Sequence, residues 1–237
     1  MPDDGSPDVL ILQHVRPEPP GTITAAVEAA GLTSRTVEIF RGDPVPETLN
    51  ASRLVVMGGP MGVADLDKRP HLARECALVE QALRKKRPVL GVCLGSQLLA
   101  HVLGGDVRPG PTKEIGWGLV DRTEAAGDDP LFQRVEDPFR AFHWHGDVFT
   151  MPRDAVRLAR TPETEHQAFR YGPSAYGLLF HLEVTPKIVA WMTTAFQDEL
   201  TAEGLDGAAL RRAAMTHEPA LRSTAQTVFG AWARLPP

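Results

Sequence analysis

The sequence predicts an α/β fold: a mostly parallel central sheet with helices on both faces, plus a small hairpin-rich extension. Three observations lead there. Continuous apolar runs recur at 9–12, 54–57 and 88–92, as expected for strands buried on both faces of a parallel sheet. Helical patterns alternate with these runs. The later two runs end in glycine-rich turns, Gly58-Gly59-Pro60 and Gly91-Val92-Cys93-Leu94-Gly95.

The first strand, 9–12, leads through Gln13 and His14 into a proline-rich loop that ends at Pro20. A helical pattern over 22–30 stops at Gly31, a residue suited to a helix C-terminus. Residues 36–40 alternate like a second strand, and 54–57 supply the third. Residues 71–86 read as a helix with Leu72, Cys76, Val79 and Leu83 on one face. Cys76 is therefore expected in the core, since free cysteine is among the most buried residue types. Another buried strand follows at 88–92, then a helix at 96–103 before Gly104-Gly105. Between 107 and 185, strand-like pieces at 118–121, 140–143, 156–159, 167–170 and 175–181 are separated by Gly, Pro and Asp. They predict the hairpin-rich extension and the return of the chain to the main sheet. From 186 the pattern is helical, with a break at 204–207. No repeat or linker interrupts the chain, so 1–237 is expected to be a single domain.

Bulk properties exclude several classes. Hydrophobic residues make up 43% and charged residues 23%, with a formal net charge of -5. That is ordinary globular composition, and the mild acidity argues against a nucleic-acid partner. The one basic run, Arg84-Lys85-Lys86-Arg87, suits a solvated helix end. The polar, acidic start, Met1 to Ser6, does not read as a signal peptide. No apolar stretch approaches the roughly 20 residues that span a bilayer. A cytoplasmic protein without a membrane association is expected. Two cysteines in unlike contexts do not make a disulfide framework.

The segment with chemical content is Gly91-Val92-Cys93-Leu94-Gly95, the cysteine form of a nucleophile elbow between a strand and a helix. A sharp turn there holds the side chain above the C-terminal edge of the sheet, where open α/β sheets bind ligands. The helix N-terminus favours a thiolate, and its free N–H groups can stabilise an oxyanion. Such a thiol needs a general base, itself oriented by a third group. Of the eight histidines, His181 ends an apolar run and is followed by Leu182-Glu183. In an extended chain His181 and Glu183 share a face, so Glu183 can fix the imidazole tautomer. His101 is expected to pack against its helix, and His71, His166 and His217 to lie at the surface or in loops. His143 and His145 form a strand pair with no apparent third ligand, so no metal site is expected. No phosphate-binding loop is present, and no cofactor is expected.

These residues together carry a family resemblance. Gly91-Val92-Cys93-Leu94-Gly95-Ser96-Gln97 resembles the nucleophile motif of class I glutamine amidotransferases, and Phe180-His181-Leu182-Glu183-Val184 resembles their His/Glu motif. Gly58-Gly59-Pro60 fits one strand upstream. Lys113-Glu114-Ile115-Gly116-Trp117 and Trp144-His145-Gly146-Asp147 look like the stand-alone relatives of the GMP synthase glutaminase domain. The resemblance runs from about residue 9 to 190 and implies a flavodoxin-like architecture. It also implies roles. Cys93, His181 and Glu183 would form a catalytic triad that hydrolyses the glutamine side-chain amide through a γ-glutamyl thioester. The backbone N–H groups of Gly59 and Leu94 would form the oxyanion hole. Gln97, Trp144, His145, Gly146 and Asp147 would hold the amino-acid end of the substrate.

Three positions depart from the family pattern: Ser96 for a common His, Leu179 for a Gln, and Leu182 for a Pro. They point to a divergent branch, so γ-glutamyl peptides or conjugates are the alternative substrates, and a non-catalytic module of the same fold is a third reading. The stretch after 190 is short for an ATP-dependent synthetase domain, which needs on the order of 100 residues. The expectation is that ammonia passes to an acceptor or to a separate synthetase subunit. The leaving-group side is expected to be lined by loops after His14, Met61 and Trp117.

Overall fold

The computed structural model describes residues 5–237; Met1 to Asp4, the start of the polar N-terminus, lie outside the described residues. Nine strands form one sheet in the order β2-β1-β3-β4-β9-β8-β7-β5-β6. Strands β1 (Val9–Gln13), β2 (Ser34–Glu38), β3 (Arg53–Val56), β4 (Val89–Val92) and β9 (Ala175–Leu178) are parallel. β1, β3, β4 and β9 are buried along their whole lengths, which is why their apolar runs are continuous. β5 (Val107–Arg122), β6 (Phe139–Phe149), β7 (Ala155–Arg160) and β8 (Ala168–Tyr171) extend the same sheet in antiparallel fashion.

The helices are α1 (Thr22–Ala29), α2 (Pro70–Arg84), α3 (Leu94–Val102), α4 (Pro186–Ala195), α5 (Gln197–Ala202) and α6 (Gly207–Ala233). Ile23 and Val27 of α1 pack with Ile188 and Val189 of α4 and Val228 and Trp232 of α6 over one face. Leu72 and Val79 of α2 pack with Leu94 and Leu98 of α3 on the other. Burying both faces of the parallel strands in this way is the expected solution for crossover connections.

Two expectations need correction. The extension is larger than the short pieces predicted, because Pro109, Gly110 and Pro111 read as a break, yet the chain stays extended from Val107 to Arg122. The irregularity is absorbed by a register shift between Pro109 and Glu114 against β6. Cys76 is half-buried rather than in the core. The inward positions of α2 include Glu75, Leu78 and Ala82, and a buried glutamate on that face is not what the apolar periodicity anticipates.

Candidate active site

β4 ends at Val92 and α3 begins at Leu94, so Cys93 alone makes the turn. Its φ of 49° and ψ of −109° are strained for a residue with a Cβ. The flanking glycines are demanded by contact. A Cβ at Gly91 would lie 2.4 Å from the Gly95 carbonyl oxygen, and one at Gly95 would lie 2.0 Å from that of Val56. The Cys93 N–H donates to the Leu178 carbonyl at 2.8 Å, tying the turn to β9. The thiol is buried and points towards the Trp144 carbonyl at 3.6 Å. Burial pushes its pKa up; the His181 imidazole and the Leu94 N–H pull the other way, and the Glu18 carboxylate adds to the rise.

The sequence places His181 at the end of a strand running 175–181. That strand stops at Leu178. The chain then bends, and His181 pairs across to Phe142 through an isolated bridge, donating its N–H to the Phe142 carbonyl at 2.7 Å. The expected pairing nonetheless forms: His181 Nδ1 lies 2.6 Å from Glu183 Oε1. Both side chains are almost wholly buried. Burial opposes a charged imidazole, but the Glu183 carboxylate and the neighbouring thiol together raise His181 well above the usual histidine range. Nε2 has no hydrogen-bond partner among the described residues, so it is left for the thiol.

A second buried histidine lies against the turn at Gly58. His14 Nδ1 is 2.9 Å from the Gly58 carbonyl and Nε2 is 2.7 Å from Glu75 Oε2. With the Glu75 carboxyl held low and ionised by its hydrogen bonds, both partners are acceptors, so both ring nitrogens carry hydrogens and the ring is an imidazolium. Burial resists the charge, and Glu75 overcomes it, raising the His14 pKa. Glu75 Oε1 takes a further hydrogen bond from His71 Nδ1 at 2.9 Å. The consequence is geometric. The Gly58–Gly59 peptide is trans, so its C=O and N–H point in opposite directions. Pinning the Gly58 carbonyl towards His14 turns the Gly59 N–H away from His14. The Gly59 N–H donates to no backbone carbonyl among the described residues.

Glu18 completes the cluster. A Cβ built at Gly58 would lie 2.2 Å from Glu18 Oε2, 3.2 Å from His181 Cε1 and 3.4 Å from Cys93 Cβ. The three side chains therefore crowd one point. Burial, with the Glu183 charge adding, lifts the Glu18 carboxyl to about 7, against the pull of His181 and His14.

A cavity of about 250 Å³ opens beside the thiol. Cys93, Gly59, Gln97 and the segment Trp144, His145, Gly146 and Asp147 line it, so the structure brings together the residues singled out for the substrate pocket. Gln97 Nε2 donates to the Asp147 carbonyl at 3.3 Å, linking α3 to β6. His181 and Glu183 sit behind the thiol rather than in the wall. Ser96, in place of the family's common His, is buried and donates to the Cys93 carbonyl at 2.7 Å.

Several lining residues have no counterpart in the sequence reading. Met61 and Glu18 fit the expected loops, but the loop after Trp117 takes no part. Trp117 instead stacks near Phe142 and His217, and its Nε1–H donates to the Leu210 carbonyl. The wall is completed by Lys113, Phe196 and Glu199. Glu199 accepts from Trp144 Nε1 at 2.9 Å and from Lys113 Nζ at 2.8 Å. The sequence holds no signal for Glu18 or Glu199, which reach the site from other elements, and for Glu75 it offers only the i,i+4 spacing to His71, the His14 partner being 61 residues away. His101, expected to pack, is exposed, and His166 and His217 are half-buried.

A buried thiol on a strand-to-helix turn, facing an imidazole held by a carboxylate, is the arrangement a cysteine nucleophile and its base require. Comparison with known proteins agrees. Residues 21–190 match the family model for glutamine amidotransferase class-I, and the chain belongs to that family. It is 32% identical over 196 residues to the glutamine amidotransferase-like protein YfeJ of Salmonella typhimurium, covering 81% of this chain and 82% of that one. It is 36% identical over 146 residues to one subunit of the glutamine-hydrolyzing GMP synthase of Ignicoccus hospitalis, covering 60% of this chain and 71% of that subunit. Against the GMP synthase of Christiangramia forsetii it spans 28% of the relative's length. The crystal structure of a glutamine amidotransferase from Thermotoga maritima superposes with a TM-score of 0.87 at 33% identity, covering 95% of this chain and 97% of that one.

Proposed function

We propose that the protein hydrolyses the side-chain amide of glutamine through a γ-glutamyl thioester on Cys93. The observation that carries this reading is the position of His181, its Nδ1 bound to Glu183 at 2.6 Å and its Nε2 left open beside the thiol. In this reading His181 takes the Cys93 proton as the thiolate attacks the amide carbon, then delivers a proton to the departing nitrogen. Glu183 holds the tautomer and stabilises the imidazolium. The N–H groups of Gly59 and Leu94 receive the developing oxyanion, an effect that works best when the donors are fixed beforehand. The His14 bond to the Gly58 carbonyl supplies that fixing for Gly59. Gln97 and the segment Trp144 to Asp147 hold the α-amino and α-carboxylate groups, to which His145 and Asp147 are suited. Water then releases glutamate, and the ammonia is used by an acceptor or by a separate synthetase subunit.

The second reading is a γ-glutamyl peptidase with the same residues. Leu179 and Leu182, both buried where the family commonly has Gln and Pro, motivate it. Ammonia and glutamate release from glutamine, measured beside release from γ-glutamyl peptides, separates the two. Cys93→Ala is expected to abolish turnover of whichever substrate is used while the fold persists. An active Cys93→Ala enzyme would overturn both readings.

A further inference from the structure

Three side chains in the β5–β6 hairpin form a buried polar cluster that the proposed reaction does not account for. His143 and His145 alternate onto one face of β6, as residues two apart on a strand do. The hairpin register sets Glu114 of β5 opposite His145. His143 Nδ1 lies 4.0 Å from Glu114 Oε1, and His145 Nε2 lies 3.5 Å from Glu114 Oε2. One donor atom from each residue falls within 4.8 Å of the others. All four ring nitrogens of the two histidines are buried without a hydrogen-bond partner among the described residues. An unpaired buried polar group costs about 1–3 kcal/mol, so two such rings side by side call for a ligand. Burial pushes both imidazoles down to about 3, with neighbouring histidines adding to the effect.

We propose that Glu114, His143 and His145 form a binding site for a divalent transition-metal ion of the zinc type. Two imidazoles and one carboxylate are a suitable donor set for such an ion, and they leave a fourth position open. Donors about 2.1 Å from a tetrahedral ion lie about 3.4 Å apart, so spacings that now reach 4.8 Å must close by as much as about 1.4 Å as the side chains turn to the ion. The carboxylate already has its supporting shell: Thr161 Oγ1 donates to Glu114 Oε1 at 2.8 Å, and Gln167 Nε2 donates to Oε2 at 2.7 Å. Outer hydrogen bonds of this kind orient ligating carboxylates. His145 lines the cavity, which provides an entry path. A bound ion would clamp β6 on both sides of Trp144, whose carbonyl faces the Cys93 thiol. It would also commit the His145 ring, leaving Gln97 and Asp147 to contact the substrate. The site stands on its own geometry and does not depend on the reaction assigned to Cys93.

The test is titration of chelator-stripped protein with Zn²⁺ against a chromophoric competitor. One saturable equivalent per chain is expected, with affinity reduced at least about 100-fold in His143→Asn and in Glu114→Gln and unchanged in Cys93→Ala. Circular dichroism shows whether each variant is folded. Co²⁺ bound to the wild type decides the matter if the variants do not fold. Intense visible d–d bands without a thiolate charge-transfer band are expected. A thiolate band, the absence of saturable binding, or binding that survives both ligand variants but not Cys93→Ala would overturn the proposal.

Discussion

Two buried histidine–carboxylate pairs meet at Gly58, and they differ in what they leave free. His181 binds Glu183 at 2.6 Å and keeps Nε2 open. His14 binds Glu75 at 2.7 Å and spends its other nitrogen on the Gly58 carbonyl. Both pairs are buried, and in both the imidazole pKa is raised. The difference in remaining valence divides them into a group fit to move a proton and a group fit only to hold a peptide in place. A carboxylate beside a histidine is thus no sign of chemistry by itself; the second nitrogen decides.

The sharpest way to break this contrast is to remove each imidazole. On the proposed mechanism His181→Ala lowers kcat by at least about 10³-fold, because members of a triad act as a unit; Glu183→Gln should cost less. His14→Gln should lower kcat by up to about 10²-fold, the scale of an impaired oxyanion donor, with KM moving little. Alkylation of Cys93 by a simple haloacetamide, which develops no oxyanion, should be slowed in His181→Ala and nearly unaffected in His14→Gln. Equal slowing in both would erase the distinction.

Stability separates them further. The His14 pKa is raised, so its contribution is complete below its unfolded value near 6.5 and is lost as pH rises through the higher folded value. Glu75 is lowered, principally by its hydrogen bonds to His14 and His71 working against burial, so its contribution is present above about 4.5 and lost as pH falls through the folded value. The pair is therefore at full strength between those limits. Leaving either charge buried alone is expected to cost about 3–5 kcal/mol there, read from urea unfolding of His14→Gln against wild type.

Glu18 has the opposite sign. Its carboxyl is raised to about 7, so the folded state binds the proton more tightly, and stability declines as pH rises from about 4.5 to 7. Glu18→Gln should unfold like the wild type at pH 4 but be more stable at pH 8, by at most about 3 kcal/mol. It should also move the rise of activity with pH to lower pH, since a negative neighbour of the thiol is gone. An unchanged pH profile would place Glu18 away from the thiol in solution. The smallest effect belongs to Cys76, whose thiol burial holds at about 11. Cys76→Ser should leave activity intact and should not reduce labelling by a glutamine-like electrophile at neutral pH.

Sequence separation explains which pair is legible. His181 and Glu183 are two residues apart, and the spacing survives even though the expected strand ends early at Leu178. His14 and Glu75 are 61 residues apart and meet only because β1 and α2 converge beside the turn after β3. The parallel strands, the Cys93 turn and the H-x-E spacing were set by local rules: continuous apolar burial, strand-to-helix geometry that only glycine neighbours permit, and reach along a short segment. The tertiary structure alone decided the imidazolium that orients Gly58–Gly59, the carboxyl of Glu18 against the thiol, the closure of the cavity by Glu199, and the meeting of Glu114 with His143 and His145 across the hairpin. Each of these needs a partner whose position depends on sheet order and register, and those follow from packing the whole chain.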